Sequence, residues 1–94
     1  MTVYAIVQVD VKNAEEYAKY AEIAGPTVAK FGGEFLARGG AVEVMEGESR
    51  DRCVIIRFAD MDTAKAFYHS PDYQRALGFA LPVSTRDYKF VEGV

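Results

Sequence analysis

The beginning of the chain alternates between apolar and mixed positions with a period of two. From Val3 to Val11 every odd position is apolar, whereas the even positions carry both apolar and polar side chains: Tyr4, Ile6, Gln8 and Asp10. Successive side chains of a strand point to opposite faces, so this pattern predicts a strand with one dry face and one partly polar face.

A helical period follows from Asn13 to Gly32. Apolar side chains recur at helical spacing along one stripe: Ala14, Tyr17, Ala18, Ala21, Ala24, Val28 and Phe31. Asn13 is the predicted N-cap, and Gly32 is the predicted left-handed residue after the helix. Pro26 has no N–H to donate to the carbonyl of Glu22, so Gly25-Pro26 predicts a kink or a break.

The middle of the chain predicts two extended segments on either side of Gly39-Gly40. Residues 34–38 form a short strand, and residues 42–46 are extended again. The two glycines make either a tight hairpin turn or a bulge inside one long bent strand. We favour the bulge, because the polar run at 47–51 already supplies a hairpin turn into the next strand.

The second half of the chain predicts a strand, a helix in two parts and a last strand. Residues 53–58 (CVIIRF) are nearly all apolar, as in a central strand. Asp60 is the predicted N-cap of a helix that restarts at Ser70-Pro71, with the proline at the first helical position. Residues 85–92 (TRDYKFVE) form the last strand.

This order of elements predicts a ferredoxin-like βαββαβ sandwich of the α+β class, in one domain over residues 1–94. Helices then cover one face of an antiparallel sheet and leave the other face open. The strand at 53–58 offers two alternatives for the open face: Val54, Ile56 and Phe58, or Cys53, Ile55 and Arg57. Both leave an apolar patch, which predicts a homodimer formed through the open sheet face.

Composition and charge exclude several classes of partner. With 11 basic and 14 acidic side chains the net charge is −3, whereas a nucleic-acid binder needs a basic surface. No apolar run approaches the ~20 residues that span a bilayer, and no signal peptide opens the chain, so we expect no membrane partner. A single cysteine, Cys53, excludes an internal disulfide and fits a cytoplasmic location.

Several segments, in order, resemble one family. They are AGPT at 24–27, GGEFLARGG at 32–40, VEVMEG at 42–47, FADMDTAKAFYHSPDYQ at 58–74 and VEGV at 91–94. Over nearly the whole chain they resemble the domain of unknown function 1330 family, short bacterial proteins of the dimeric α/β-barrel superfamily. The resemblance implies a ferredoxin-like protomer and a dimer in which two sheets form a barrel-like assembly. It implies no reaction, since relatives by fold include cofactor-free monooxygenases, muconolactone isomerases, haem-degrading and dye-decolourising enzymes and plain binding proteins.

Arg38, followed by Gly39 and Gly40, is the first candidate for ligand binding. A guanidinium group beside bare backbone amides forms an anion pocket, so we expect Arg38 to contact a carboxylate or an enolate. The competing interpretation is that the two glycines only let the strand bend, while Arg38 is solvated or pairs with a neighbour.

His69 and Asp10 are the candidate proton-transfer groups. His69 is the only histidine, and it is either a general base or a side chain at a helix C-terminus, where the dipole favours it. Asp10 would act as a base if it were desolvated, and otherwise it is a solvated strand end or an ion-pair partner. One histidine and one cysteine do not provide the usual ligand spacing of a metal site.

Tyr17, Tyr20 and Arg57 complete the candidate ligand contacts. The tyrosine hydroxyls either reach a pocket between helix and sheet or lie at the rim of an aromatic core. Arg57 would line the open sheet face if the alternative that includes Cys53 and Ile55 holds.

Two functional hypotheses follow. Phosphate-loop, dinucleotide, CxxC and GxSxG motifs are missing, so we expect no cofactor. The first hypothesis is a cofactor-free enzyme, of isomerase or monooxygenase type, acting on a small aromatic or carboxylated metabolite. The second is a non-catalytic homodimeric module that binds a small molecule or serves in a stress response.

Overall fold

The computed structural model describes residues 1–94 and contains four strands and three α-helices. They are β1 (Val3–Val11), α1 (Ala14–Lys30), β2 (Glu34–Arg38), β3 (Arg52–Phe58), α2 (Met61–His69), α3 (Pro71–Ala80) and β4 (Ser84–Glu92), with a short 3-10 helix at Leu81–Val83. The strands form one antiparallel sheet in the order β2-β3-β1-β4. This is the predicted ferredoxin-like βαββαβ topology, with its second helix in two parts. No helix of the fold combines the length and apolar character needed to span a bilayer.

The strand register decides which side chains face the helices. The odd positions of β1 are buried as predicted: Val3, Ala5, Val7 and Val9. Residues paired across an antiparallel sheet share a face. Because Ala5 pairs with Ile56 and Ile6 pairs with Ile55, β3 divides into two sets. Val54, Ile56 and Phe58 face the helices, whereas Cys53, Ile55 and Arg57 lie on the open face with Tyr4, Ile6 and Gln8.

Helix α1 begins and ends as predicted but does not break at Gly25-Pro26. The Asn13 side chain accepts a hydrogen bond from the backbone of Glu16 at 3.2 Å, and Gly32 follows the helix with a φ of 72°. The helix continues through Pro26 to Lys30. Ala24 and Val28, on either side of the proline, are buried in the core. Their packing keeps the helix continuous, so the break that the sequence alone allowed does not occur.

The connection from β2 to β3 differs from the prediction. Residues 42–46 form no strand, and the irregularity in β2 lies between Phe35 and Ala37 rather than at Gly39-Gly40. Gly39 has a φ of 75°, so the chain turns away directly after Arg38. The apolar side chains of the loop have no core to enter and remain exposed: Val42, Val44 and Met45.

The caps of α2 and α3 are confirmed. Asp60 accepts a hydrogen bond from the backbone of Thr63 at 2.7 Å, and Ser70 accepts one from the backbone of Tyr73 at 3.2 Å. Pro71 occupies the first turn of α3. The buried residues of the two helices close the core over the sheet: Ala64, Phe67, Tyr73, Ala76, Leu77 and Ala80.

Candidate functional site

A small pocket lies between α1 and the face of the sheet that the helices cover. Its volume is about 40 Å³. Most of the wall is aliphatic or aromatic, and the polar groups come from arginines and tyrosines: Tyr17, Tyr20, Arg38, Arg52, Arg86 and Tyr88. No acidic residue lines the pocket. The pocket therefore brings together three of the predicted ligand contacts, Tyr17 and Tyr20 on α1 and Arg38 on β2.

The sheet register places two of the arginines on either side of one residue. Val9 of β1 pairs with Arg52 of β3 and with Arg86 of β4. Because Val9 is buried beneath the helices, both arginines start from the helix-covered face. Neighbouring strands lie about 4.8 Å apart, so the two Cα atoms are separated by roughly 10 Å. Arg38 reaches the same pocket from the end of β2.

These three arginines have no carboxylate partner. The other three arginines of the chain all form ion pairs: Arg50 with Asp10 and Asp87, Arg57 with Glu34, and Arg75 with Asp72. The pocket thus concentrates positive charge in a chain whose net charge is −3. A cleft lined by one sign of charge with apolar walls attracts ions of the opposite sign.

A network of hydroxyl groups holds the Arg86 guanidinium. Its Nη2 donates to the hydroxyl of Tyr20 at 2.8 Å and to that of Tyr73 at 3.3 Å, and these two hydroxyls lie 3.0 Å apart. The guanidinium carbon also lies 4.7 Å from the centre of the Tyr20 ring. Although burial acts to lower the pKa of Arg86, Tyr20 and Tyr73 raise that pKa on balance, so Arg86 keeps its charge.

The tyrosines around Arg86 are proton donors rather than bases. Burial raises the pKa of Tyr20, Tyr73 and Tyr88 above the ordinary value of 10.0. Their hydroxyls therefore stay protonated at neutral pH. Two buried atoms beside this network have no hydrogen-bond partner: Arg86 Nε and the Tyr88 hydroxyl oxygen.

Glycines make room for the guanidinium groups of Arg38 and Arg52. A Cβ atom at Gly25 would lie 3.1 Å from Arg38 Nη2, and one at Gly39 would overlap Arg52. Arg38 also stacks on Phe35, with its guanidinium carbon 4.1 Å from the ring centre. Gly39, which follows Arg38 in the sequence, therefore makes room for a second arginine, Arg52.

Asp10, Arg57, His69 and Gly40 lie outside this pocket, and Gly39 borders it only through its contact with Arg52. Asp10 accepts hydrogen bonds from the backbone of Asp51 at 2.9 Å and from Arg50 Nη1 at 3.0 Å, which hold its pKa below the ordinary value. Asp10 therefore fastens the end of the β2–β3 loop to the sheet. His69 is exposed at the end of α2. No group of three or more His, Cys, Asp or Glu side chains is placed to hold a metal ion.

Sequence reasoning missed Arg52, Arg86 and Tyr88. A signal for Arg86 was present in the last strand. Arg86, Tyr88 and Phe90 alternate with Asp87 and Lys89, so period two places Arg86 on the same face as two aromatic residues. A charged residue on an apolar face indicates a site. Arg52 directly precedes the apolar run and carries no comparable signal.

Solved structures of similar fold come from several bacteria. The RPA0582 protein of Rhodopseudomonas palustris, of unknown function, is 18% identical with a TM-score of 0.80, covering 99% of this chain and 82% of that one. A dimeric ferredoxin-like protein of unknown function from Jannaschia sp. CCS1 is 16% identical with a TM-score of 0.78, covering 99% of this chain and 100% of that one. SnoaB of Streptomyces nogalater, a cofactor-independent oxygenase, is 14% identical with a TM-score of 0.58, covering 99% and 93%.

At these identities the structural similarity shows the fold alone. No curated protein matches the chain. The family model described as Domain of unknown function (DUF1330) matches residues 2–94. That match covers every element of the fold and all the residues of the pocket. The chain therefore belongs to the DUF1330 family.

Proposed function

We propose that this protein binds a small carboxylated metabolite in the pocket between α1 and the sheet, without an organic cofactor. The observation that carries the proposal is the placement of Arg38, Arg52 and Arg86, unpaired, around one pocket without an acidic residue. Guanidinium groups match the planar geometry of a carboxylate and bind it through paired hydrogen bonds.

The size of the pocket favours a short ligand. Its volume of about 40 Å³ is small beside the ~300 Å³ or more of pockets that enclose drug-sized molecules. The aliphatic and aromatic walls of Val7, Ala24 and Phe35 leave room for a short carbon chain. Of the aromatic and carboxylated metabolites expected from the sequence, the carboxylated ones fit this volume better.

Catalysis of isomerase or monooxygenase type is the second candidate. The charges that hold a carboxylate would also stabilise an enolate formed from a bound carbon acid. No carboxylate or histidine lines the pocket to remove the proton, since Asp10 and His69 lie outside it, and burial keeps Tyr20 and Tyr88 protonated. The geometry therefore supports binding ahead of catalysis, which agrees with the hypothesis of a non-catalytic module.

The second part of the proposal is a homodimer formed through the open sheet face. That face carries apolar side chains in the middle of the sheet, including Ile6 and Ile55, which are paired and half-buried. Val91 continues the patch on β4, with 48% of its surface exposed. Proteins of similar fold from Jannaschia sp. CCS1 and Bacteroides fragilis are described as dimeric. Burying such a patch contributes roughly 25 cal/mol per Å² before association costs.

Calorimetric titration with acetate, butyrate and succinate tests the binding proposal. We expect saturable binding of at least one acid to the wild type, and a loss of about 10–100-fold in Arg52→Ala, as for the removal of charged hydrogen bonds. Arg75→Ala is the matched control, because it removes the same charge from an exposed site on α3. Circular dichroism checks that both variants remain folded. Binding that is equal in the two variants, or no binding of any acid, would overturn the proposal.

A further inference from the structure

Two residues of the pocket wall carry buried hydrogen-bond donors that the protein itself leaves unused. Arg86 Nε and the Tyr88 hydroxyl are the buried side-chain nitrogen and oxygen atoms without a partner in this chain. Leaving such groups unpaired is unfavourable, so native structures rarely do so without a reason. Both residues line the pocket already described.

The position of the Arg86 guanidinium is fixed by the protein before any ligand binds. Nη2 is already engaged by Tyr20 and Tyr73, and the guanidinium carbon lies within 6 Å of the Tyr20 and Tyr88 ring centres. All of the groups that contact the guanidinium here are neutral hydroxyls and rings. The positive charge therefore remains uncompensated, although most of the side chain is withdrawn from water.

The three arginines of the pocket start from two different parts of the sheet. Arg38 and Arg52 stand where β2 ends and β3 begins, on either side of the β2–β3 loop. Arg86 stands on β4, beyond β1, on the other side of Val9 from Arg52. The two groups are also held by different neighbours: the Arg52 guanidinium lies against Gly39, whereas Arg86 Nη2 donates to the hydroxyls of Tyr20 and Tyr73.

We infer that the ligand is a short dicarboxylate, with one carboxylate on Arg38 and Arg52 and the other on Arg86 Nε and the Tyr88 hydroxyl. This inference rests on the proposed function and specifies its ligand class. The second carboxylate pairs the charge of Arg86 and accepts hydrogen bonds from both unused donors. The apolar wall between the two ends, which includes Val7 and Val54, faces the methylene groups.

Succinate and butyrate form the test pair, because they share a four-carbon chain and differ by one carboxylate. We expect the wild type to bind succinate at least ten times more tightly than butyrate. In Tyr88→Phe this ratio falls towards one, because succinate loses affinity and butyrate does not. Tyr88→Phe is preferred to an Arg86 variant, whose network with Tyr20 and Tyr73 supports the fold.

The outcomes separate the inference from the proposal beneath it. Equal binding of the two acids, lost in Arg52→Ala, would leave the carboxylate pocket standing and overturn the dicarboxylate. An unchanged succinate affinity in Tyr88→Phe would also overturn the dicarboxylate inference. The unused donors would then be hydrogen-bonded to water instead of to a ligand. No binding of either acid would overturn both the inference and the proposed function.

Discussion

Gly39 lies directly against the guanidinium group of Arg52, so that a Cβ atom at position 39 would be 2.7 Å from Arg52 Cζ. The same glycine ends β2: its φ is 75°, and its N–H donates to the carbonyl of Cys53 at 3.0 Å. One residue therefore turns the chain out of the sheet and leaves the space that the pocket arginine occupies. The local backbone geometry and the candidate binding site therefore depend on the same missing side chain.

Gly39→Ala will displace Arg52 and weaken carboxylate binding by about tenfold or more, as expected for a charged hydrogen bond. Gly47→Ala is the matched control, because Gly47 also has a positive φ, of 77°, but has no heavy atom within 4 Å of its Cβ position. Both variants pay the left-handed strain of about 1–2 kcal/mol. Urea unfolding measures that shared cost and calorimetry measures the affinity. Equal affinities in the two variants would show that carboxylate binding does not depend on the position of the Arg52 guanidinium.

Tyr88→Phe will leave the stability of the unliganded protein unchanged or slightly higher, because the hydroxyl it removes has no partner. Tyr20→Phe removes a hydroxyl bonded to Arg86 and Tyr73, and we expect it to cost about 1–3 kcal/mol. Urea unfolding at fixed protein concentration compares the two. Destabilisation by Tyr88→Phe as large as that by Tyr20→Phe would mean that the Tyr88 hydroxyl is bonded in the free protein.

Stability will fall as the pH rises above about 10. Tyr20, Tyr73 and Tyr88 have raised pKa values in the folded state, whereas unfolded tyrosines ionise near 10.0. The folded chain therefore holds more protons there, and its free energy of unfolding decreases by up to about 1.4 kcal/mol per pH unit for each tyrosine. Below pH 10 this contribution is fully present. Urea unfolding between pH 8 and 11 should give a shallower decrease in Tyr88→Phe than in the wild type. An identical decrease would argue against the burial of that hydroxyl.

Ile6→Glu will prevent the proposed dimer from forming, because it places a charge in the middle of the open sheet face. Leu81→Glu is the control: Leu81 is also exposed, at 59%, but it lies in the 3-10 helix away from that face. Sedimentation velocity gives the mass of each variant. A dimeric Ile6→Glu variant, or a monomeric wild type, would place the interface elsewhere or remove it.

Elements whose signals are local were predictable from the sequence. The alternation of β1 and the caps at Asn13, Asp60 and Ser70 depend on neighbouring residues, and the structure confirms them. The continuity of α1 through Pro26 was not predictable from local signals. Tertiary packing of the helix outweighs the backbone hydrogen bond that the proline cannot make.

Features that depend on strand pairing were not predictable in this way. Residues 42–46 have an extended-looking pattern but no neighbouring strand to pair with, so they form a loop. Both sets of side chains in β3 are largely apolar, and only its register with β1 identifies the core set. The pocket has the same origin: Arg52 and Arg86 are distant in sequence, and their common neighbour Val9 brings them together.

The most direct test of a carboxylate site between α1 and the sheet is an NMR titration of the isotope-labelled protein with succinate. A carboxylate bound there should give saturable shifts of the backbone amides of Gly25 on α1, Arg52 on β3 and Arg86 on β4, and of Gly39, which lies against Arg52. The amides of His69 and Val44, outside the pocket, should stay in place. Shifts confined to residues outside the pocket, or no saturable shifts at all, would show that no carboxylate site lies between α1 and the sheet.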